Sequence, residues 1–179
     1  TFIKTKENKM ELQLITHPND ILHTPITEEW DMENPQYDAM ELRQSMWEVM
    51  TANGGQGLSA NQVGLSVRVF VFLNTGDSNA DRQKVLAINP SYTVHEESVD
   101  IDMFEGCLSY PGVVANITRP NKIRTTWTDH KGKLSHFTLD GMAARCFLHE
   151  MDHLDGLTMD EHVSPRVWKE AMAKAGHVS

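Results

Sequence analysis

The chain has 179 residues and a formal net charge of −9, from 16 Lys and Arg against 25 Asp and Glu. This length is that of one ordinary domain, and the acidic balance argues against general nucleic-acid binding, so no DNA partner is expected. A hydrophobic content of 40% supports a core without disulfides, and no apolar run reaches the roughly 18 residues of a membrane span.

The first residues, TFIKTKENKM, lack the apolar core of a secretion signal. Residues 1–10 are predicted to be a disordered lead-in or a remnant of added sequence, with Met10 a candidate start, and residues 11–179 to form the folded domain. Two cysteines, Cys107 and Cys146, do not make a disulfide scaffold, so a reducing compartment is expected. A single bridge between them is the alternative.

Apolar residues at helical spacing predict a helix over 36–52, which ends at Asn53-Gly54-Gly55. A second helix is predicted over 141–154, with Asp140 as N-cap and Gly156 as the stop. A third helix is predicted over 164–175.

Short runs rich in β-branched and aromatic residues predict strands between these helices. They cover 67–73, 85–88, 91–96, 113–117, 123–128 and 135–139. Helix, several antiparallel strands and then helix is the pattern of an α+β fold. We expect one domain of short antiparallel strands around the second helix.

The second predicted helix contains His149-Glu150-Met151-Asp152-His153. Imidazoles four residues apart lie on one helical face, so both can bind one metal ion. Glu150 projects beside that ion, where its carboxylate can take a proton from metal-bound water. The alternative is a helix with two surface histidines and an acidic residue between them.

A hydrolytic metal site needs a third protein ligand and an open position for water. Upstream, Glu105-Gly106-Cys107-Leu108-Ser109 places Cys107 in a tight loop that can present its thiolate. The alternative for Cys107 is a small buried apolar residue. Downstream candidates fit no established spacing; they are Asp160, Glu161 and His162.

A glycine-rich segment, Gly55-Gln56-Gly57-Leu58-Ser59-Ala60-Asn61-Gln62, follows the first helix. Its small residues let the backbone approach a ligand closely. Gln62 can offer an amide N–H to a developing oxyanion. The alternative is a turn with a solvated glutamine.

Together the three segments resemble the signature motifs of the peptide deformylase family: a G-x-G-L-x-A-x-Q loop, an E-G-C-L-S loop and an H-E-x-D-H helix. They occur in the family's order and at similar separations. Shorter matches at His17–Leu22, Asn89-Pro90 and Arg119-Pro120 extend the resemblance over roughly residues 12–165. It implies that residues 11–179 form a catalytic domain that removes the formyl group from the N-terminal formyl-methionine of nascent polypeptides.

The resemblance also implies roles for the catalytic residues. Cys107, His149 and His153 are the implied ligands of one divalent metal ion, with water in the fourth position. The implied ion is Fe²⁺ in the cell, with Ni²⁺, Co²⁺ or Zn²⁺ as substitutes, and such a donor set suits borderline ions. Glu150 is the implied general base. The implied oxyanion donors are Gln62 and the backbone N–H of Leu108.

For substrate binding, the resemblance places the backbone of Gly57 against the formyl group, which leaves no room for a methyl. The peptide is expected to lie as an extended strand near Gly55 and Gly112. The methionine pocket is implied at Met103, Met142 and Cys146, beside His149. Glu105 is expected to shape the loop by anchoring a neighbouring group. Two arginines, Arg119 and Arg145, either orient substrate or pair with acidic neighbours, and the structural role is favoured for Arg145.

The sequence departs from the family pattern at Gln56, where an aliphatic residue is usual, and at Ser59, where alanine is usual. Only 23 residues follow Gly156, fewer than in many bacterial relatives. The expected partners are N-formyl-methionyl peptides and nascent chains, with a transient ribosome contact left open by this short tail. A monomer is expected, in a bacterial or virus-infected bacterial cytoplasm or an organellar stroma or matrix, and not secreted.

Two other functions are compatible with the helix motif. A zinc endopeptidase would use a downstream third ligand and would keep its site in a Cys107→Ala variant. A non-enzymatic module would close a structural metal with four protein ligands. A Glu150→Gln variant that kept metal and fold but lost turnover would exclude this module.

Overall fold

The computed structural model describes residues 10–177, so most of the predicted lead-in, residues 1–9, lies outside the described residues. Four α-helices are present in the described part of the chain: α1 Ala39–Ala52, α2 Ala80–Gln83, α3 Gly141–Leu154 and α4 Pro165–Lys174. Seven strands accompany them: β1 Gly57–Ser59, β2 Val69–Leu73, β3 Lys84–Val94, β4 Asp100–Cys107, β5 Tyr110–Pro120, β6 Lys122–Thr128 and β7 Leu134–Asp140. Three 3₁₀ turns span Asp20–His23, Ala60–Val63 and Met159–His162.

The main sheet has five antiparallel strands in the order β1-β2-β3-β6-β7. Strand β2 is buried along most of its length because helices α1 and α3 both pack near it. Aromatic rings fill the space under α3: Phe147 lies 5.1 Å from Phe70 and 5.7 Å from Phe72, both edge-to-face. Trp127 on β6 closes the cluster, 5.7 Å from Phe72. This packing fixes α3 against the sheet.

A second sheet consists of the β4–β5 hairpin alone. Beneath it lies a smaller apolar cluster, whose fully or nearly buried members are Leu22, Tyr110, Val113, Ala115, Ile117 and Met159. Helix α4 covers this cluster through Trp168, whose ring meets that of Tyr110 edge-to-face at 5.3 Å. The hairpin is therefore held between α4 and the helix that carries the histidines.

Helix α3 has the predicted bounds. Asp140 occupies the N-cap position, although its side chain makes no capping hydrogen bond. After the helix, Gly156 adopts φ +74°, and a Cβ there would lie 2.7 Å from the backbone nitrogen of Pro25. Glycine is required at this stop because the N-terminal segment crosses the helix end.

The predicted elements differ from the structure in several places. The predicted strands 85–88 and 91–96 form one strand, β3, whose register shifts between Ile88 and Ser91. Pro90 has no N–H to donate, and the preceding Asn89 takes φ +48° while its side chain bonds both backbone groups of Trp30, so the strand bulges instead of ending.

No strand was predicted over residues 100–107, which form β4 and end at Cys107, the residue expected in a tight loop. Helix α1 begins three residues later than predicted, because the side chain of Asp38 caps the backbone N–H of Glu41. The α+β class and the single domain of antiparallel strands around α3 are confirmed. No helix in the described residues is both long and apolar enough to cross a membrane.

Candidate active site

Helix α3 and the end of β4 bring the three predicted metal ligands together. The Nε2 atoms of His149 and His153 lie 3.1 Å apart, as expected for residues on adjacent turns of one helical face. Cys107 is the last residue of β4, and its Sγ lies 3.3 Å from His153 Nε2. All three ligand atoms lie within 4.8 Å of one another. Residues distant in sequence thus converge on one point.

The donor set fits a transition-metal ion. One thiolate and two imidazoles suit iron, nickel, cobalt or zinc, whereas magnesium and calcium prefer oxygen ligands. Within residues 10–177, this triad is the one group of three such side chains close enough to share an ion. The downstream alternative fails because His162 Nε2 bonds Asp152 Oδ2 at 2.7 Å and Asp160 bonds Thr158.

Both cysteines are free, so the disulfide alternative is wrong. Cys107 is committed to the ligand cluster. The thiol of Cys146 donates to the backbone oxygen of Gln56 at 3.4 Å. Burial, and then the neighbouring charge of Glu150, raises the pKa of Cys146 well above its ordinary value, so this cysteine stays a neutral thiol.

Glu105 anchors the first histidine. Its Oε1 lies 3.0 Å from His149 Nδ1, and its Oε2 accepts hydrogen bonds from Arg119 Nε at 2.7 Å and Arg145 Nη1 at 2.6 Å. Burial opposes ionisation of Glu105, but bonds from His149 and Arg119 outweigh it and hold its pKa well below the usual range. A carboxylate on Nδ1 fixes the ring so that Nε2 faces the metal position.

The two arginines both pair with acidic neighbours, as the structural alternative expects. Arg145 also donates to the backbone oxygens of Ile117 and Ile101, at 3.0 and 2.5 Å, which ties α3 to both strands of the hairpin. Arg119 donates through Nη1 to Asp152 Oδ2 at 2.8 Å. No role was predicted for Asp152 from the sequence, although its position between the two histidine ligands could have indicated one.

Glu150 is 3% exposed and lines the cleft beside the ligands. Its Oε2 has no hydrogen-bond partner among the described residues. A Cβ on Gly57 would lie 2.5 Å from Glu150 Oε1 and 2.9 Å from Cys146 Sγ, so only glycine lets β1 pass this close. Burial raises the pKa of Glu150 to about 7, a value suited to proton transfer near neutral pH.

The proposed oxyanion donors flank the triad on two elements. Gln62, in the turn after β1, is 1% exposed, and its Nε2 lies 3.7 Å from Cys107 Sγ. Leu108 directly follows Cys107 in the hairpin turn and lines the cleft. A Cβ on Gly55 would lie 2.5 Å from Leu108 Cδ1, so the glycine-rich loop and the hairpin turn are in close contact.

The site opens into a cleft of about 710 Å³. Six of the predicted substrate-binding residues line it: Gly55, Gly57, Glu105, Gly112, Met142 and Cys146. Met103 lies outside its lining, so its place in the methionine pocket stays a prediction. The lining also includes apolar and small polar residues that the sequence analysis missed, namely Leu14, Thr16, Phe104 and Val114.

A metal-ligand triad with a buried glutamate at the base of an apolar cleft defines a single-metal hydrolase. The sequence profile of the polypeptide deformylase family matches residues 11–168. Peptide deformylase of Aquifex aeolicus (strain VF5) is 32% identical over 164 residues, which are 92% of this chain and 93% of that protein. Rice chloroplastic peptide deformylase 1B (Oryza sativa subsp. japonica) is 36% identical over 124 residues, 69% of this chain but 45% of that longer protein.

Solved structures agree with these sequence matches. The crystal structure of a peptide deformylase from Synechococcus elongatus in complex with actinonin superposes with a TM-score of 0.78, at 31% identity, over 93% of this chain and 89% of that one. The chain belongs to the polypeptide deformylase family. It is a metal-dependent enzyme that removes the N-terminal formyl group from nascent peptides.

Proposed function

We propose that Glu150 is the general base of the deformylation reaction, and that Gln62 Nε2 and the Leu108 N–H stabilise the developing oxyanion. The observation that carries this proposal is the placement of Glu150. Its carboxylate is buried beside the ligand triad, close to the backbone of Gly57, with one oxygen unpartnered among the described residues. A base must lie within hydrogen-bond reach of the proton that it takes.

Cys107 Sγ and the Nε2 atoms of His149 and His153 would hold the divalent ion, and we infer Fe²⁺ in the cell, with Ni²⁺, Co²⁺ or Zn²⁺ as substitutes. The mixed thiolate and imidazole set supports an ion of this borderline class. When bound, such an ion lowers the pKa of water and polarises a carbonyl. Glu105 contributes by holding the His149 ring in place.

The chain's own groups account for the proton movements. Glu150 takes a proton from the attacking water as the water oxygen bonds to the formyl carbon. Gln62 Nε2 and the Leu108 N–H donate to the formyl oxygen as it gains charge. The C–N bond then breaks, and Glu150 passes the proton to the departing nitrogen. The products are formate and a free N-terminal methionine.

Gly57 supports selectivity for formyl over acetyl groups. Its backbone lies so close to Glu150 and Cys146 that even a Cβ on residue 57 would clash with both side chains. We propose that a formyl hydrogen fits against this backbone and that an acetyl methyl does not. The methionine side chain is assigned to the part of the cleft near Met142 and Cys146, which both line it. The peptide would extend past Gly55 and Gly112 as an added strand.

The test is formate release from a formyl-Met tripeptide, with an acetyl-Met tripeptide as control. The protein is loaded anaerobically with Fe²⁺ or Ni²⁺. We expect turnover of the formyl substrate alone. Folded, metal-replete protein that releases no formate would contradict the proposal, and unblocked peptides would then be screened for endoproteolysis.

We also propose a monomer that acts in the cytoplasm of a bacterial or virus-infected bacterial cell, or in an organellar stroma or matrix. Bacterial and chloroplast relatives support this range of settings. Exposed Arg166 and Lys169 on α4 offer a face for a transient ribosome contact. Sedimentation velocity tests the monomer. Co-sedimentation with ribosomes, compared between the wild type and an Arg166→Glu, Lys169→Glu variant, tests the contact.

A further inference from the structure

A buried polar network connects Gln62 to the helix that carries the histidines. Ser59 Oγ lies 2.8 Å from Asn61 Oδ1 and 3.1 Å from Gln62 Oε1. Asn61 Nδ2 donates to the backbone oxygen of His153 at 2.6 Å. None of the three side chains in the 59–62 segment is more than 1% exposed. The Ser59 hydroxyl is therefore placed between the oxyanion side chain and the backbone of a metal ligand.

The same contacts determine which way the Gln62 amide faces. Its Oε1 accepts the Ser59 backbone N–H at 2.9 Å, and its Nε2 donates to Ser109 Oγ at 3.0 Å. The Ser109 hydroxyl is already committed as a donor to the backbone oxygen of Ile15, at 2.7 Å. A flipped amide would set its NH₂ group against the Ser59 N–H, so the orientation with Nε2 toward Cys107 is the one that satisfies every group.

We propose that Ser59 is a positioning residue for the deformylation reaction. Its one hydroxyl proton is shared between the amide oxygens of Asn61 and Gln62 in a bifurcated hydrogen bond, which holds Gln62 Nε2 toward the cleft and in register with His153. A hydrogen bond accepted at Oε1 also polarises the amide, and this strengthens the Nε2–H group as a donor. The inference rests on the proposed role of Gln62 as an oxyanion donor.

The hydroxyl is the part of this arrangement that the backbone cannot replace. In a Ser59→Ala variant, Gln62 Oε1 keeps the bond from the residue 59 N–H but loses the hydroxyl. Asn61 Oδ1 loses its contact at 2.8 Å in a site without solvent access. We therefore expect a loosened oxyanion donor and an intact metal site.

The experiment is a double-mutant cycle with Ser59→Ala and Gln62→Met, measured on metal-loaded enzyme with the formyl-Met tripeptide. Ser59→Ala is expected to lower kcat by about 3- to 10-fold, the effect of one net hydrogen bond, and to leave KM within about twofold. In the Gln62→Met background it should change nothing further. The matched control is Ser45→Ala in α1, another buried serine, whose hydroxyl has no partner among the described residues; its kcat should equal the wild-type value.

Visible spectra of Co²⁺-loaded protein separate positioning from damage to the ligands. Ser59→Ala should keep the wild-type spectrum, and a changed spectrum would overturn the proposal. An unchanged kcat, or an equal loss in the Gln62→Met background, would overturn it as well. If Ser59→Ala does not fold, Ser59→Cys supplies a weaker donor of similar size and should show the same loss in kcat. Absence of formate release by the wild type would instead refute the proposed function.

Discussion

At the scale of single residues, the site depends on one close approach between backbone and base. The backbone of Gly57 lies beside Glu150, and a Cβ there would lie 2.5 Å from Oε1. That oxygen belongs to a buried carboxylate packed in the cleft, so it has little freedom to withdraw. Glycine at this position is therefore required for the placement of the proposed base, in addition to its proposed role in admitting the formyl group.

We expect Gly57→Ala to lower kcat about 100-fold, because a displacement of the base by roughly 1 Å has a cost of this order. The comparison variant is Gly55→Ala. Its Cβ would meet the end of the Leu108 side chain, which can move, so a rise in KM with a smaller loss of kcat is expected. Steady-state formate release measures both variants. Equal kcat losses in the two would contradict the special constraint at Gly57.

The proposed base predicts the effect of Glu150→Gln. This change keeps shape and removes the proton acceptor, so kcat should fall about 10²- to 10⁴-fold while metal content and fold are retained. Exposed Glu161 is a suitable control, since Glu161→Gln alters charge outside the cleft. Metal analysis and circular dichroism accompany the kinetics. Substantial activity in Glu150→Gln would assign the proton transfer to another group.

At the scale of elements, buried charges join the hairpin to helix α3. Glu105 on β4 binds Arg119 on β5 and Arg145 on α3, and Arg119 also binds Asp152 on α3. Glu105 and both arginines are at most 8% exposed. Cys107 and the two histidines come from the elements that these ion pairs hold together. The charge network thus sets the distance between ligands from different parts of the chain.

Removing Arg119 should therefore be costly. An Arg119→Met variant leaves Glu105 and Asp152 with fewer partners in a buried site, and we expect a loss of about 3–5 kcal/mol in the free energy of unfolding. The control is Arg166→Met, which breaks the ion pair between Arg166 Nε and Glu170 Oε1 at 2.9 Å. The side chains of Arg166 and Glu170 are 87% and 64% exposed. That loss should be at most about 0.5 kcal/mol. Urea unfolding measures both. Similar losses in the two variants would contradict a stabilising role for the buried network.

The helices were predictable where local signals are strong. Helix α3 has its predicted bounds because apolar periodicity and the Gly156 stop act together. Strand β4 was missed because Asp100, Asp102 and Glu105 break up the apolar run that marks a strand. The charge at Glu105 is accommodated by arginines from β5 and α3, and partners so far away in sequence leave no local signal.

The proposed metal ligands and base were identifiable because their motifs place chemical groups at fixed spacings, and the structure brings the three candidate ligands together. The rest of the site depends on tertiary contacts. Leu14 and Thr16 line the cleft because the N-terminal segment is hydrogen-bonded to two of the loops around it. The Ile15 N–H donates to the backbone oxygen of Gln62 at 2.7 Å, and the His17 N–H donates to that of Ser109 at 2.8 Å. The N-terminal segment has no apolar periodicity that would predict this pairing from the sequence.

At the scale of the whole molecule, the metal site and the core are separable. The main core is built from aromatic and aliphatic residues of the five-stranded sheet, α1 and α3, and it contains none of the three ligands. Cys107 is partly buried and packs against the smaller cluster. Neither cysteine forms a disulfide. The fold therefore has an apolar core of its own, and a metal bound at the triad would add stability by binding to a site that is already formed.

Metal removal should accordingly abolish turnover without unfolding the protein. We expect chelated protein to keep its far-UV circular dichroism and to unfold cooperatively. Its thermal midpoint should be about 5–10 °C lower than that of metal-loaded protein, which is the shift expected for a domain of this size when free metal is present at about 100 times its Kd. A Cys107→Ala variant should lose this metal-dependent increase in the unfolding midpoint. Cys146→Ala should retain it, because that thiol bonds the backbone of Gln56 and lies outside the ligand triad. If chelated wild-type protein lost its helical signal instead, the metal would be structural, and the buried network around Glu105 would be insufficient to hold the hairpin against α3 by itself.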